Sequence, residues 1–282
     1  MSVLVNTENA KLSDYTFVLL RDHIHDKIGI YLNDGKKYLV ESRLGGRVAQ
    51  KGFGSFEEYY QYIKRSGDFK EENALFDTIT TNETYFFRDS PQMDFYEKVA
   101  IPHMREIIKK EAKFRVWSAG CSTGEEPYTL AVLAMSAVPG LNRLKFEVLG
   151  TDISSSCLSQ AKAGSYSAYA IKNAPEKYLN RFFIKKDGTY LINMEVREMV
   201  RFEKVNLVDP LSMGRAKGIN LIFCKNVFIY FSDEKRAKIA QSFHDSLVPG
   251  GFLVLGPSEY LKDCGHLFST HKLGQCVYYR KL

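Results

Sequence analysis

The stretch Trp117-Ser118-Ala119-Gly120-Cys121-Ser122-Thr123-Gly124-Glu125-Glu126-Pro127-Tyr128 decides the fold, because it joins a strand end, a glycine-bounded turn and an acidic helix start. The preceding Phe114-Arg115-Val116-Trp117 is short and β-prone, so the chain is expected to leave a sheet at Ser118 and enter a helix near Glu125. Gly120 and Gly124 bracket the turn. Glycine reaches positive φ and allows close approach to the backbone, and a helix N-terminus beyond it offers unpaired N–H groups. That is the layout of a nucleotide-type cofactor site. The turn contains no Lys, does not match G-x-x-x-x-G-K-[ST], and places Glu125 and Glu126 where a phosphate would sit. Negative charge there repels phosphate and favours hydroxyls or a cation.

Outward from this turn, toward the C-terminus, strands alternate with helical stretches. This implies βαβ units and a mostly parallel sheet. The strands are read as Phe114–Ser118, Phe146–Thr151, Val200–Val205, Ile219–Cys224 and Phe252–Gly256, with a closing hairpin from about Leu267 to Tyr279. Helices are read as Glu126–Met135, Ser155–Ala163 and Asp233–Leu247. Ser165 to Glu198 is too long for a simple connection. Within it, Lys185-Lys186-Asp187-Gly188-Thr189-Tyr190 reads as a hairpin turn between Arg181–Ile184 and Leu191–Met194, which predicts a small antiparallel insertion.

Asp152 ends the second of these strands. Ligands of doubly wound sheets lie at strand carboxyl ends, and an acid at this position can bind ribose hydroxyls. Its bland reading is a cap for the next helix. Asn206 and Asn226 follow at the ends of the third and fourth strands, so four polar strand ends would share one rim.

Toward the N-terminus, residues 11–80 read as consecutive short helices. Ser13 or Asp14 caps a helix carrying Phe17, Leu20, Ile24 and Ile28 at helical spacing. Ser55-Phe56-Glu57-Glu58 is a capping box, Gly67 a C-terminal stop, and a further helix is expected from Lys70 to Thr80. Between residues 35 and 51 five bases face a single acid. On a helix of about 3.6 residues per turn, Lys36, Arg43, Arg47 and Lys51 fall on one face, a basic stripe that is either a solvated surface or a docking face. Gly45-Gly46 weakens that helix.

Hydrophobic residues make up 45% and charged residues 26% of the 282 positions, which is a globular composition. The longest apolar runs are strand-length, far short of a membrane span. Disorder is expected only over the first ten residues. The N-terminus lacks a basic and an apolar secretory region, so a cytoplasmic setting is expected. Five cysteines without C-x-x-C spacing argue for reduced thiols, and the six histidines show no metal-ligand pattern. The net charge of +6 is compatible with an acidic partner.

Asn82-Glu83-Thr84-Tyr85-Phe86-Phe87-Arg88, Trp117 through Tyr128, Thr151-Asp152-Ile153, Val205-Asn206-Leu207 and Phe223-Cys224-Lys225-Asn226-Val227-Phe228-Ile229-Tyr230-Phe231 together resemble the CheR family of chemotaxis methyltransferases. The resemblance covers nearly the whole chain. It implies an α/β fold in which a Rossmann-like class I S-adenosylmethionine-dependent methyltransferase domain (residues 91–282) follows an all-α N-terminal domain and linker (11–90). A small antiparallel β-subdomain is inserted at about 165–198. The implied enzyme is a protein-glutamate O-methyltransferase, which converts glutamates on cytoplasmic helices of chemotaxis receptors to methyl esters and leaves S-adenosylhomocysteine.

The resemblance further implies cofactor contacts at Asn82, Thr84, Arg88, Gly120, Glu126, Asp152, Asn206, Leu207, Lys225 and Asn226, and catalytic positions at Arg88 and Tyr230. Many relatives carry Arg where this chain has Lys225, and Lys cannot reproduce a planar bidentate contact. Read without the family, Phe86, Phe87, Ile229 and Phe231 are core residues, and Tyr230 is a core tyrosine with a bonded hydroxyl. An acidic receptor helix would give Lys36, Arg43, Arg47 and Lys51 a docking role. Some relatives grip a receptor C-terminal peptide with the inserted hairpin. The shorter turn at Asp187-Gly188 predicts an enzyme independent of that tether, acting at membrane receptor arrays. A methyltransferase of other specificity, or a module that binds the cofactor without turnover, stays open. Nucleic-acid methylation fits poorly, with no N-P-P-Y or D-P-P-Y, and NAD chemistry fits worse without G-x-G-x-x-G.

Overall fold

The computed structural model describes residues 11–282; residues 1–10, expected to be disordered, lie outside the described residues. The described chain forms two compact units, residues 11–81 with 230–232, and residues 82–229 with 233–282. No helix among the described residues is long and apolar enough to cross a membrane.

The first unit contains α1 (Asp14–Ile28), α2 (Lys37–Gln50), α3 (Phe56–Ser66) and α4 (Phe69–Ile79). Ser13 caps α1 by accepting the Thr16 N–H, and Gly29 ends it at φ 77°. Phe17, Leu20, Ile24 and Ile28 form its buried stripe, as their spacing predicts. Ser55 caps α3 by accepting the Glu58 N–H, but the Glu58 carboxylate reaches Gly54 N–H at 2.8 Å rather than returning to Ser55. The capping box is therefore one residue wider than its standard form. Asp68 accepts from the N–H groups of Lys70 and Glu71, which starts α4 at Phe69, one residue before the predicted Lys70. α2 runs through Gly45-Gly46. Val40, Leu44 and Val48 are buried at one-turn intervals, and that burial outweighs a helix penalty of about 1 kcal/mol per glycine. Residues 30–31 pair with 230–231 through an Ile30–Phe231 bridge and a 2.7 Å bond from Tyr31 N–H to Tyr230 O.

The predicted basic stripe is mostly drawn into this packing. Arg47 donates to both oxygens of Glu71 at 2.6 and 2.7 Å, Lys51 Nζ lies 2.7 Å from the same carboxylate, and the Tyr59 hydroxyl donates to it at 2.9 Å. Glu71 is only 1% exposed. Arg43 donates to Ile79 O and, at 2.8 Å, to Thr81 Oγ1. A buried carboxylate demands such partners, so Arg47 and Lys51 tie α2 and the residue after it to α4, and Arg43 holds the end of α4; Lys36 and Lys51 are the exposed members of the stripe. Lys36 lies outside α2, in a 3-10 turn from Asp34 to Lys36.

The second unit opens with α5 (Ser90–Phe95), a π-helical turn (Tyr96–Ala100) and α6 (Ile101–Lys109). The ladder widens just before Pro102, which has no N–H to offer an α-helical bond. Then follow β1 (Phe114–Ala119), α7 (Glu125–Ala137), β2 (Phe146–Asp152), α8 (Ser155–Ala163), β3 (Ser165–Tyr166), α9 (Glu176–Phe182), β4 (Phe183–Lys186), β5 (Thr189–Ile192) and α10 (Met194–Glu198). β6 (Val200–Lys204), α11 (Pro210–Met213), β7 (Ile219–Cys224), a 3-10 turn (Phe228–Tyr230), α12 (Asp233–Ser246), β8 (Leu247–Leu255), β9 (Phe268–Leu273) and β10 (Cys276–Lys281) complete it, with Tyr230 grouping with the first unit.

Seven strands form one sheet in the order β6-β2-β1-β7-β8-β10-β9. β6, β2, β1, β7 and β8 are parallel neighbours, and β10 pairs antiparallel with β8 and β9. β7 is buried at every position and β1 at all but Arg115, as expected of parallel strands covered on both faces. This is the α/β architecture that the alternation of strands and helices predicts. β8 begins at Leu247, earlier than the predicted Phe252, because an irregular pairing with β7 extends it past Gly250-Gly251.

β3, β5 and β4 make a separate antiparallel sheet. Its hairpin turns on Asp187 (φ 47°) and Gly188 (φ 77°), a two-residue loop with both positions at positive φ. The predicted strands Arg181–Ile184 and Leu191–Met194 are each displaced toward that tight turn. Arg181 and Phe182 end α9, and Met194 begins α10.

Candidate functional site

The chain builds β1, β2 and β6 toward one side of the sheet and then returns to place β7 on the other flank of β1. The strand order therefore reverses between β1 and β7, and the carboxyl ends at such a reversal are where doubly wound sheets bind ligands. Four adjacent strands deliver the predicted polar positions to this rim: Asn206 after β6, Asp152 from β2, the Gly120–Glu126 turn after β1, and Lys225-Asn226 after β7.

The turn after β1 is tightly held. Gly120 has φ 76°, and a Cβ there would lie 2.5 Å from Val227 Cγ2, so only glycine lets the chain pass the segment after β7. Gly124, at φ 94°, would place a Cβ 2.8 Å from Ala161 Cβ. The N–H groups of Gly120 and Cys121 both donate to Thr151 O at 2.8 Å, Ser122 N–H donates to Asp152 Oδ2 at 2.8 Å, and Gly124 N–H to Cys121 O at 3.0 Å. These N–H groups have internal acceptors and do not form a phosphate cradle. The Trp117 indole N–H, donating to Thr151 Oγ1 at 2.8 Å, ties β1 to β2 immediately beneath the turn.

Asp152 is 7% exposed, and its second oxygen accepts the Ser154 N–H at 2.9 Å. The helix cap of the bland reading belongs to Ser154, whose hydroxyl accepts from Cys157 N–H. Asp152 instead shapes the rim from both sides. Asn206 Oδ1 accepts the Val208 N–H at 3.2 Å, Leu207 beside it is buried, and Asn226 adopts φ 60°.

Lys225 is the hub of the rim. Its side chain is 4% exposed, and Nζ lies 3.2 Å from Asp89 Oδ2, 3.1 Å from Glu126 Oε2 and 3.2 Å from Arg88 O. The other oxygen of Glu126 accepts the Ser118 hydroxyl at 2.7 Å. One ammonium thus joins β7, the first turn of α7 and the segment before α5, placing Lys225 in charge balance and loop attachment. Compact, with several donor directions, an ammonium can serve three acceptors that are not coplanar. Asp89, itself at φ 61°, was not singled out by its sequence, since a lone acid before Ser-Pro reads as a helix cap.

The segment Asn82–Arg88 folds onto the same unit. Asn82 O accepts from Ser122 Oγ at 2.9 Å, Phe87 N–H donates to Thr129 Oγ1 at 3.2 Å, and Thr84 is half-buried. Arg88 Nη1 donates to Glu83 O at 2.8 Å, with the guanidinium carbon 5.7 Å from the centre of the Tyr85 ring. Phe86 is a core aromatic, edge-on to Tyr166, and the partly buried Phe87 packs against the core, stacked on Tyr178 at 5.3 Å. Tyr230 is grouped with the helical unit, where its carbonyl accepts from Tyr31.

Burial, reinforced by Asp152 and Glu126, pushes the Cys121 thiol well up, and burial does the same to Cys224, so neither is a thiolate nucleophile at neutral pH. Burial also raises the Glu125 carboxyl. Among the described residues no cluster of three or more His, Cys, Asp or Glu side chains is arranged to hold a metal. The donor set is carboxylates and amides, without a phosphate-binding nest. It suits a cofactor that presents hydroxyls and amino groups, and a positively charged sulfur fits the acidic rim.

Comparison with known proteins agrees with this chemistry. Residues 16–80 match the family described as CheR methyltransferase, all-alpha domain, and residues 82–277 match CheR methyltransferase, SAM binding domain. The chain is 33% identical over 273 residues to chemotaxis protein methyltransferase 2 of Vibrio cholerae, covering 96% of this chain and 94% of that protein. It is 38% identical over 247 residues to the chemotaxis protein methyltransferase of Borreliella burgdorferi, covering 85% and 86%. With chemotaxis protein methyltransferase 1 of Pseudomonas aeruginosa it shares 35% identity over 273 residues, 94% and 97% of the two chains. Among solved structures, the citrinin polyketide synthase CMeT domain matches at TM-score 0.35 and 17% identity, covering 84% of this chain and 50% of that one. Strand order, acidic rim and family match converge: this chain belongs to the CheR methyltransferase family and uses S-adenosylmethionine as its cofactor.

Proposed function

We propose that this enzyme methylates glutamate side chains on the helices of chemotaxis receptors, giving methyl esters. The observation that carries the cofactor half of this reading is the rim itself, with carboxylates at Glu126 and Asp152 and the turn N–H groups already bonded. The receptor half is supported by the names of the relatives, each a chemotaxis protein methyltransferase. Asn82, Thr84, Arg88, Gly120, Glu126, Asp152, Asn206, Leu207 and Asn226 hold the cofactor. Lys225, buried among Asp89, Glu126 and Arg88 O, supports that group from behind.

S-adenosylmethionine supplies an electrophilic methyl group on a positively charged sulfur. A substrate glutamate, with a reference pKa near about 4.3, is ionised at neutral pH and needs no general base. The protein's work is therefore orientation and partial exclusion of water from the attacking carboxylate. Arg88 and Tyr230 take that role, aligning carboxylates of substrate or cofactor. Each transfer removes one negative charge from an acidic receptor helix, and that change is the signal.

Lys36 and Lys51, both exposed, together with the half-buried Arg43 and Arg47, give the helical unit its docking face for acidic helices. The two-residue Asp187-Gly188 turn supports action independent of a receptor C-terminal peptide, at membrane receptor arrays. Incubation with labelled S-adenosylmethionine and receptor membranes tests the proposal. Label released by mild alkali as methanol is expected; alkali-stable label excludes carboxyl methylation, and cofactor binding without transfer to any receptor favours a sensing module.

A further inference from the structure

Glu259 follows β8 and is 9% exposed. Its Oε2 accepts the N–H groups of Asn226 and Gly256, both at 2.8 Å, and its Oε1 accepts the Ile229 N–H at 3.1 Å. The carboxylate is thus aimed at main-chain amides, and it grips both ends of residues 226–229, the segment leaving β7 at the rim. Asn226 holds φ 60°, a left-handed conformation that Asn adopts more readily than most side-chain-bearing residues and that the Glu259 bond to its N–H helps fix. Val227, the next residue, fills the space that a Cβ on Gly120 would occupy. Gly256 is constrained from the same direction: a Cβ there would lie 2.6 Å from Glu259 Oε2 and 3.0 Å from Asn226 N.

We propose that Glu259 is a positioning residue of the cofactor site. It touches neither cofactor nor substrate; it fixes the backbone of 226–229, and through it the Asn226 side chain, against the Gly120 turn. Neutral amides would hold such a segment less firmly, because bonds to a carboxylate are shorter and roughly twice as strong. The inference rests on the reading of Asn226 as a cofactor contact.

Glu259→Gln preserves shape but puts an NH2 group against either Ile229 N–H or the Asn226–Gly256 pair, setting donor against donor. Gly256→Ala keeps the carboxylate and pushes it out of place. Phe268→Leu, in edge strand β9, serves as a variant that loosens the core away from the rim. S-adenosylhomocysteine binding is measured calorimetrically for each folded variant, well below its unfolding midpoint. Glu259→Gln and Gly256→Ala are each expected to weaken binding on the order of tenfold, the double variant no more than either alone, and Phe268→Leu not at all. Wild-type affinity in folded Glu259→Gln, or an equal loss in Phe268→Leu, overturns the inference. Because the readout is cofactor affinity, a failure to methylate receptors in wild-type protein strikes only the receptor reading and leaves Glu259 judged by binding.

Discussion

Glu71 in the helical unit and Lys225 in the sheet unit are both buried charges with three polar partners, but their partners differ in kind. Glu71 meets Arg47, Lys51 and Tyr59, side chains of α2, α3 and the residue after α2, so its network closes among packed helices. Lys225 meets Asp89, Glu126 and a main-chain carbonyl at the point where the strand order reverses. The first network sets how the helices pack. The second sets the charge and shape of a ligand rim. Burial and pairing alone therefore do not separate a charge at the carboxyl ends of the sheet from one consumed in helix packing; its place in the strand order does.

Glu71→Ala should give the largest effect and a purely structural one. Removing the carboxylate strands Arg47 and the Tyr59 hydroxyl, at a cost of about 3 kcal/mol in urea unfolding, while S-adenosylhomocysteine affinity of the folded protein stays unchanged. An unchanged unfolding free energy would break the comparison. The same residue predicts a pH dependence. Burial pushes the Glu71 carboxyl up, but hydrogen bonds from Arg47, Lys51 and Tyr59 outweigh it and hold the folded value below the usual 4.5. A carboxyl lowered by folding stabilises fully above its unfolded value and loses that contribution as pH falls through the folded one. Wild-type protein and Glu71→Gln should therefore differ most above the usual carboxyl value of 4.5 and converge in stability as pH falls below it.

Lys225→Met should act in the opposite sense, with loss of binding exceeding loss of stability. Asp89 and Glu126 would keep like charges without their shared cation, and S-adenosylhomocysteine affinity should fall roughly 10- to 100-fold, or about 1.4–2.7 kcal/mol. Lys225→Arg, which retains the charge, should recover part of it in the same titration. Equal effects of Met and Arg would mean that shape, not charge, is what Lys225 provides. Gly120→Ala comes next: left-handed backbone and the encounter with Val227 should cost about 1–2 kcal/mol in urea unfolding, relieved in part by Val227→Ala. The smallest effect is expected for Lys36→Glu, roughly a two- to five-fold slower methylation of receptor membranes at low salt, vanishing at high salt, with cofactor affinity intact. A persistent defect at high salt would point away from electrostatic docking.

Much of this contrast lay beyond reach of pattern reading, and particular residues show why. Ser13, Ser55, Gly67 and Gly124 act on backbone groups within a few positions of themselves, so helix starts and stops were legible to within a residue or two. The β-rich runs at 114, 146 and 219 are buried along most of their length and reveal themselves by dense apolar residues, interrupted by Arg115, Glu147 and Asn220. The bonds of Arg47 and Lys51 to Glu71 are not legible in the sequence, because a cationic helical face has the same spacing whether it meets water or a buried acid. Residues 90–109 show no clean helical period, because Pro91 and Pro102 interrupt a pattern that the structure carries through a π-helical turn. Glu259 carries no sequence signal, because an acid bonded to main-chain amides needs no particular partner residue type.

From sequence alone came the order of strands and helices, the glycine turn hostile to phosphate and the polar strand ends, since each is set by local backbone preference and by the chemistry of a few adjacent side chains. Tertiary structure alone decided which charges support the rim and which are consumed in packing. Arg47 finds Glu71 across 24 positions, Asn226 finds Glu259 across 33 and Lys225 finds Asp89 across 136. Such partners are chosen by helix packing and strand order, which bring together residues whose own neighbourhoods give no sign of each other.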